Sequence, residues 1–89
     1  MPVRKLRIVN EKGLHARASA KLVEVVEAHD ATAEIRKGSL VASGDSIMGL
    51  LMLAAEMGSE IEVCTAGPEA EKLSAALDAL VADRFGEDK

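Results

Sequence analysis

The hydrophobic period of this chain changes at Gly13, from two residues to about 3.6, and the change recurs along the sequence; few small folds accommodate such a pattern. Val3 to Val9 alternates basic Arg4, Lys5 and Arg7 with apolar Leu6 and Ile8, as a strand with one face on a core does. Asn10-Glu11-Lys12-Gly13 is a turn-forming cluster. Beyond it Ser19, Leu22, Val23 and Val26 fall at i, i+3, i+4 and i+7, with Lys21, Glu24 and Glu27 outward, which predicts an amphipathic helix starting after His15 with His29 in its last turn.

The same patterns place the remaining elements. Ala31–Lys37 reads as a strand and Leu40–Ala42 as its partner across a tight Lys37-Gly38-Ser39 hairpin. Ile47 to Met57 reads as a second helix, capped by Ser46 and closed by Gly58. Glu60–Ala66 alternates again, with Ile61, Val63 and Thr65 on one face and Glu60, Glu62 and Cys64 on the other. Pro68 at a first helical position opens a last helix whose core face is Ala70, Leu73, Leu77, Leu80 and Val81. The order is β-α-β-β-α-β-α, an α+β chain whose short connections favour an antiparallel sheet with its helices on one face. Periodicity alone leaves two strand orders open, a ferredoxin-like split βαβ and an open-faced sandwich.

Composition narrows the function classes. The 89 residues read as a single domain, 1–89, with no linker or repeat, and the near absence of aromatics leaves an aliphatic core. Eleven basic residues against fifteen acidic ones give a net charge of −4, which with the lack of stacking side chains argues against nucleic acid as a partner. The single Cys64 excludes an internal disulfide and a multi-cysteine metal site and fits a reducing cytoplasm; it reads as an inert strand residue. His15 and His29 lack the further ligands a metal would need, and no cofactor is expected. The longest apolar run, Ile47–Ala55, is far short of the roughly 20 residues of a membrane-spanning helix, and Met1-Pro2-Val3-Arg4-Lys5 leads directly into the first strand, so neither membrane insertion nor export is expected.

The chemistry concentrates at Gly13-Leu14-His15-Ala16-Arg17. The first turn of a helix has backbone N–H groups without intrahelical acceptors and the positive end of the helix dipole, so a group that becomes anionic there is stabilised. A neutral imidazole nitrogen is a nucleophile near neutral pH, phosphorylation makes it anionic, and Arg17 adds a permanent cation with a forked donor set. The bland alternative is a surface histidine at a helix start.

Gly13-Leu14-His15-Ala16-Arg17, with Ser46-Ile47-Met48-Gly49-Leu50 some thirty positions later, resembles the histidine phosphocarrier (HPr) family of the bacterial phosphotransferase system, and the resemblance runs from about Leu6 to Leu80. It implies the open-faced β-sandwich, with sheet order 1-4-2-3 and three helices on one face. It also implies a monomeric carrier, not an enzyme in the strict sense, that accepts a phosphoryl group on Nδ1 of His15 from a phosphoenolpyruvate-dependent Enzyme I-type donor and passes it to Enzyme IIA-type acceptors. Arg17 and the N–H groups of Ala16 and Arg17 would stabilise the phosphate.

Two positions depart from the family pattern: Ala18 stands where proline is usual, which preserves a helix but loosens its start, and Ala16 stands where Thr or Ser is common. Ser46 is explained by helix capping, while in some family branches the matching serine is phosphorylated by a dedicated kinase and released by a phosphorylase; the neighbouring Asp45 disfavours a second negative charge. The second helix is apolar on too many sides, so Ile47, Met48, Leu51 and Met52, with Leu14 and Ala20, are expected to form an adaptable docking patch. Leu50-Leu51-Met52-Leu53, and Glu62-Val63 followed by Gly67-Pro68-Glu69, look more like the nitrogen-related branch than the sugar-uptake one. A purely regulatory binding module of the same system is the competing reading, and a ferredoxin-like small-ligand domain a third, which would need no nucleophile at the helix start.

Overall fold

The computed structural model describes residues 2–89. The elements follow the order β1 (Val3–Arg7), α1 (Ala16–Glu27), β2 (Thr32–Lys37), β3 (Leu40–Ser43), α2 (Ile47–Met52), β4 (Glu60–Ala66) and α3 (Ala70–Ala82), then a single 3-10 turn, Arg84–Gly86. The four strands form one antiparallel sheet in the order β1-β4-β2-β3, the open-faced sandwich and not the ferredoxin-like order that periodicity also leaves open.

Strand alternation decides which face is covered. Leu6, Ile61, Val63, Ile35, Ala33 and Ala42 point to the helical side and are buried there with Leu22, Val23 and Val26 of α1, Leu50 of α2 and Leu73, Leu77 and Val81 of α3. On the opposite, open face Lys5 stands across from Glu62 and Arg7 from Glu60, opposite charges on neighbouring strands that favour this register. At the edge of the helical side, Arg4 donates from Nε to the buried Ser74 hydroxyl (2.8 Å) and from a terminal nitrogen to Asp78 (2.7 Å), tying β1 to α3. Cys64 is buried although it belongs to the open face, lying between its cross-strand partners Val3 and Glu34.

Several boundaries differ from the expected ones, each for a readable reason. The predicted helix Ile47–Met57 stops at Met52. Ala54 takes a left-handed φ of 50°, which ends the helix and turns Ala55 inward, where it is buried and its carbonyl accepts the Leu14 N–H at 2.8 Å. A left-handed alanine costs about 1–2 kcal/mol, so that tertiary bond and the burial of Leu53 and Ala55 outweigh the local helical preference. Gly58 serves a different turn, its N–H donating to the Ile8 carbonyl at 2.7 Å. α3 begins at Ala70 with Glu69 as its cap, so Pro68 precedes the helix, because the Glu69 N–H is engaged by the Asp30 carbonyl (3.0 Å). Leu80 is only half-buried. His29 lies just beyond α1, where its Nδ1 donates to the Val25 carbonyl at 2.7 Å. The segment after α3 carries no element in the sequence reading, yet its Phe85 is fully buried.

Candidate functional site

The site is built where the loop after β1 meets α1. Gly13 has a φ of 68°, and a Cβ there would sit 2.5 Å from the Ala55 carbonyl oxygen, so the close approach of the 54–56 segment requires glycine. Leu14 follows, then His15 with extended backbone (φ −80°, ψ −175°) as the cap of α1, its carbonyl accepting the Ser19 N–H at 2.8 Å. Ala18, in the position where proline was the family expectation, lies fully buried inside α1, which starts at Ala16 without a break. The side chain of His15 is 27% exposed and makes no hydrogen bond to the first-turn amides. The ring is therefore neither sealed in the core nor consumed by capping.

Its partner comes from the far end of the sequence. Nε2 of His15 is in a short hydrogen bond with one carboxylate oxygen of Glu87, whose other oxygen accepts the Asn10 side-chain amide at 3.0 Å. The same Asn10 nitrogen donates to the Gly13 carbonyl at 2.8 Å. Asn10 is fully buried, and its Oδ1 has no partner among the described residues. Burial pushes the Glu87 carboxyl up, but the hydrogen bonds from His15 and Asn10 and the attraction of His15 and Lys12 outweigh it and hold the group below the usual carboxylate range.

A shallow cleft beside this network is lined by Lys12, Arg17 and Lys21 together with Glu87, Asp88 and Lys89. Lys21 Nζ is held by the Phe85 carbonyl at 2.6 Å. Arg17 is exposed and has no side-chain hydrogen bond or ion pair among the described residues, so its guanidinium is available to an incoming anion. Ala16 is exposed in the first turn. No cluster of His, Cys, Asp and Glu suited to a metal occurs among the described residues, and no described helix is long and apolar enough to cross a membrane.

Ser46 caps α2, its hydroxyl accepting the Gly49 N–H at 3.0 Å, and Asp45 beside it is engaged by the Ser43 hydroxyl at 2.6 Å. Of the expected docking patch, Ile47, Met48 and Met52 are exposed, Met48 at 69% and Met52 at 76%, and Leu51 and Ala20 are half-buried. Leu14 does not belong with them. At 4% exposure it is a core residue, drawn inward by the bond of its N–H to Ala55.

Sequence reasoning missed Glu87, Asn10 and Phe85. One signal was present: the chain has a single phenylalanine, and a lone large apolar side chain in an aliphatic protein is a strong candidate for burial, which forces the segment around it to fold back. Nothing in the sequence said that the return would bring a carboxylate to His15.

The family model for the "PTS HPr component phosphorylation site" matches residues 3–83. The chain is 42% identical over 80 residues to the phosphocarrier protein HPr of Cupriavidus necator, 90% of each chain, and 40% identical over 84 residues to the phosphocarrier protein NPr of Shewanella violacea, 94% of this chain and 92% of that one. Among solved structures, HPr-C-His from Thermoanaerobacter tengcongensis superposes with a TM-score of 0.94 over the full length of both chains at 28% identity.

Proposed function

Because the chain belongs to the HPr family, the phosphocarriers of the phosphotransferase system, we propose that His15 is the residue that carries its phosphoryl group. The observation that carries this reading is a partly exposed imidazole at the N-terminal end of α1, free of any capping bond, with Arg17 unpaired among the described residues and a first helical turn whose amides have no intrahelical acceptors. Phosphoryl transfer asks mainly for positioning and for stabilisation of charge, and a carrier supplies part of both while its partners supply the rest. Arg17 and the N–H groups of Ala16 and Arg17 neutralise the bound phosphate.

The donor is a phosphoenolpyruvate-dependent Enzyme I-type protein and the acceptors are Enzyme IIA-type proteins, both docking on the apolar surface of Ala20, Ile47, Met48, Leu51 and Met52. That surface spans α2 and Ala20 of α1, two helices packed against each other, so a partner seated on it lies alongside the helix that His15 opens. The carrier works as a monomeric single domain in the cytoplasm. Ser46 remains a helix cap whose phosphorylation by a dedicated kinase Asp45 opposes.

Incubation with phosphoenolpyruvate and Enzyme I tests the reading. It should add one acid-labile phosphate, and His15→Ala should abolish it; label retained by that variant would remove His15 from the role.

A further inference from the structure

The geometry points to Glu87 as a positioning residue for His15: held by Asn10, its carboxylate keeps the ring proton on Nε2, leaves the Nδ1 lone pair as the nucleophile, and offsets the positive charge the ring acquires on phosphorylation. This inference rests on the carrier reading and deepens it.

An ionised carboxylate can only accept a hydrogen bond. Both oxygens of Glu87 are committed as acceptors, one to His15 Nε2 and the other to the Asn10 amide. In the neutral ring only one nitrogen bears a proton, so a proton on Nε2 leaves Nδ1 unprotonated. The carboxylate is itself well placed, with its side chain only 14% exposed and its Asn10 partner fully buried and tied to the Gly13 carbonyl. Asn10 tolerates an unpartnered buried Oδ1, a cost that is offset when its nitrogen holds two acceptors in register. The chain Gly13 carbonyl, Asn10 amide, Glu87 carboxylate and His15 ring thus links the turn that sets up α1 to the orientation of the nucleophile, as a carboxylate orients histidine elsewhere in nucleophilic and metal sites.

The step balances. The Nδ1 lone pair attacks phosphorus and an N–P bond forms, while the bond from phosphorus to the donor's leaving atom breaks with its electron pair staying on the donor. The proton remains on Nε2, so the ring carries a positive charge beside the Glu87 carboxylate. Delivery to an acceptor reverses these changes and returns the neutral ring. The two ring nitrogens point away from each other, so Glu87 lies off the line of attack, and Arg17 and Lys12 supply the cations beside the cleft.

Wild type, Glu87→Gln and Glu87→Ala are compared in two measurements. In NMR of protein with labelled histidine, the Nε2-bound proton of wild type should exchange slowly with water, and Glu87→Ala should lose that signal. In transfer from phosphoenolpyruvate through Enzyme I, Glu87→Ala should lower kcat by about 10- to 100-fold, the scale on which outer partners of functional histidines act, with KM for Enzyme I unchanged and the thermal midpoint tracked alongside. Glu87→Gln, which keeps an acceptor oxygen but no charge, should recover the proton signal and part of the rate. Phosphoramidate, a small donor that needs no docking, should show the same ranking of variants.

Unchanged transfer by Glu87→Ala, faster transfer, or a loss seen with Enzyme I but not with phosphoramidate would each overturn the role of Glu87 while leaving the carrier reading intact. A wild type that takes no phosphate from Enzyme I would overturn both.

Discussion

A histidine at a helix mouth becomes a useful nucleophile through its neighbours, and in the role proposed for His15 they divide the work. Glu87, held by Asn10, bonds the ring at Nε2, and Arg17, without a side-chain partner among the described residues, lines the same cleft as Glu87. Because Arg17 is exposed and its side chain has no partner among the described residues, Arg17→Ala should slow phosphoryl transfer on the order of 10-fold or more, as the loss of a charge-assisted contact to phosphate does. The thermal midpoint should stay within about 4 °C, since surface substitutions away from structural features change stability by about 0.5 kcal/mol or less. Transfer kinetics and a melting curve on one preparation decide it; a large stability loss with normal transfer would make Arg17 structural.

At the scale of elements, α2 shows how a tertiary bond overrides a local pattern. Its apolar run continues past Met52 and predicts five more helical residues, but the Leu14 N–H needs an acceptor, and the Ala55 carbonyl reaches it where the chain breaks at Ala54. The shortened helix still exposes Ile47, Met48 and Met52. Met48→Asp places a charge in that surface without touching the core, so it should raise KM in transfer from Enzyme I about 10-fold, as loss of a central interface contact does, and leave the fold unchanged by circular dichroism. Unaltered transfer to every partner would rule out docking at this position.

For the whole molecule, the segment after α3 is the feature that joins sequence extremes. Arg84 and Phe85 both adopt left-handed backbone, at φ 55° and 54°, a strain of about 1–2 kcal/mol each that persists because Phe85 is fully buried. Phe85→Ala should destabilise the protein by about 3 kcal/mol in urea unfolding and also release Glu87, seen as loss of the His15 Nε2 proton signal. A change below about 0.5 kcal/mol, the scale of a surface substitution, would mean that the segment is not part of the core.

The parts legible in the sequence were those written over short separations. Strand alternation, the α1 face Ser19-Leu22-Val23-Val26, the tight hairpin turn read at Lys37-Gly38-Ser39 and the Ser46 cap all depend on residues two to seven apart and all are present. His15 and Arg17 were equally visible, being fixed by one turn and one helix start. The burial of Leu14, the early end of α2 and the Glu87–Asn10–His15 network were decided by tertiary structure alone. Each arises from groups brought together across forty to more than seventy residues, where hydrogen-bond demand and core volume, not local propensity, select the contact.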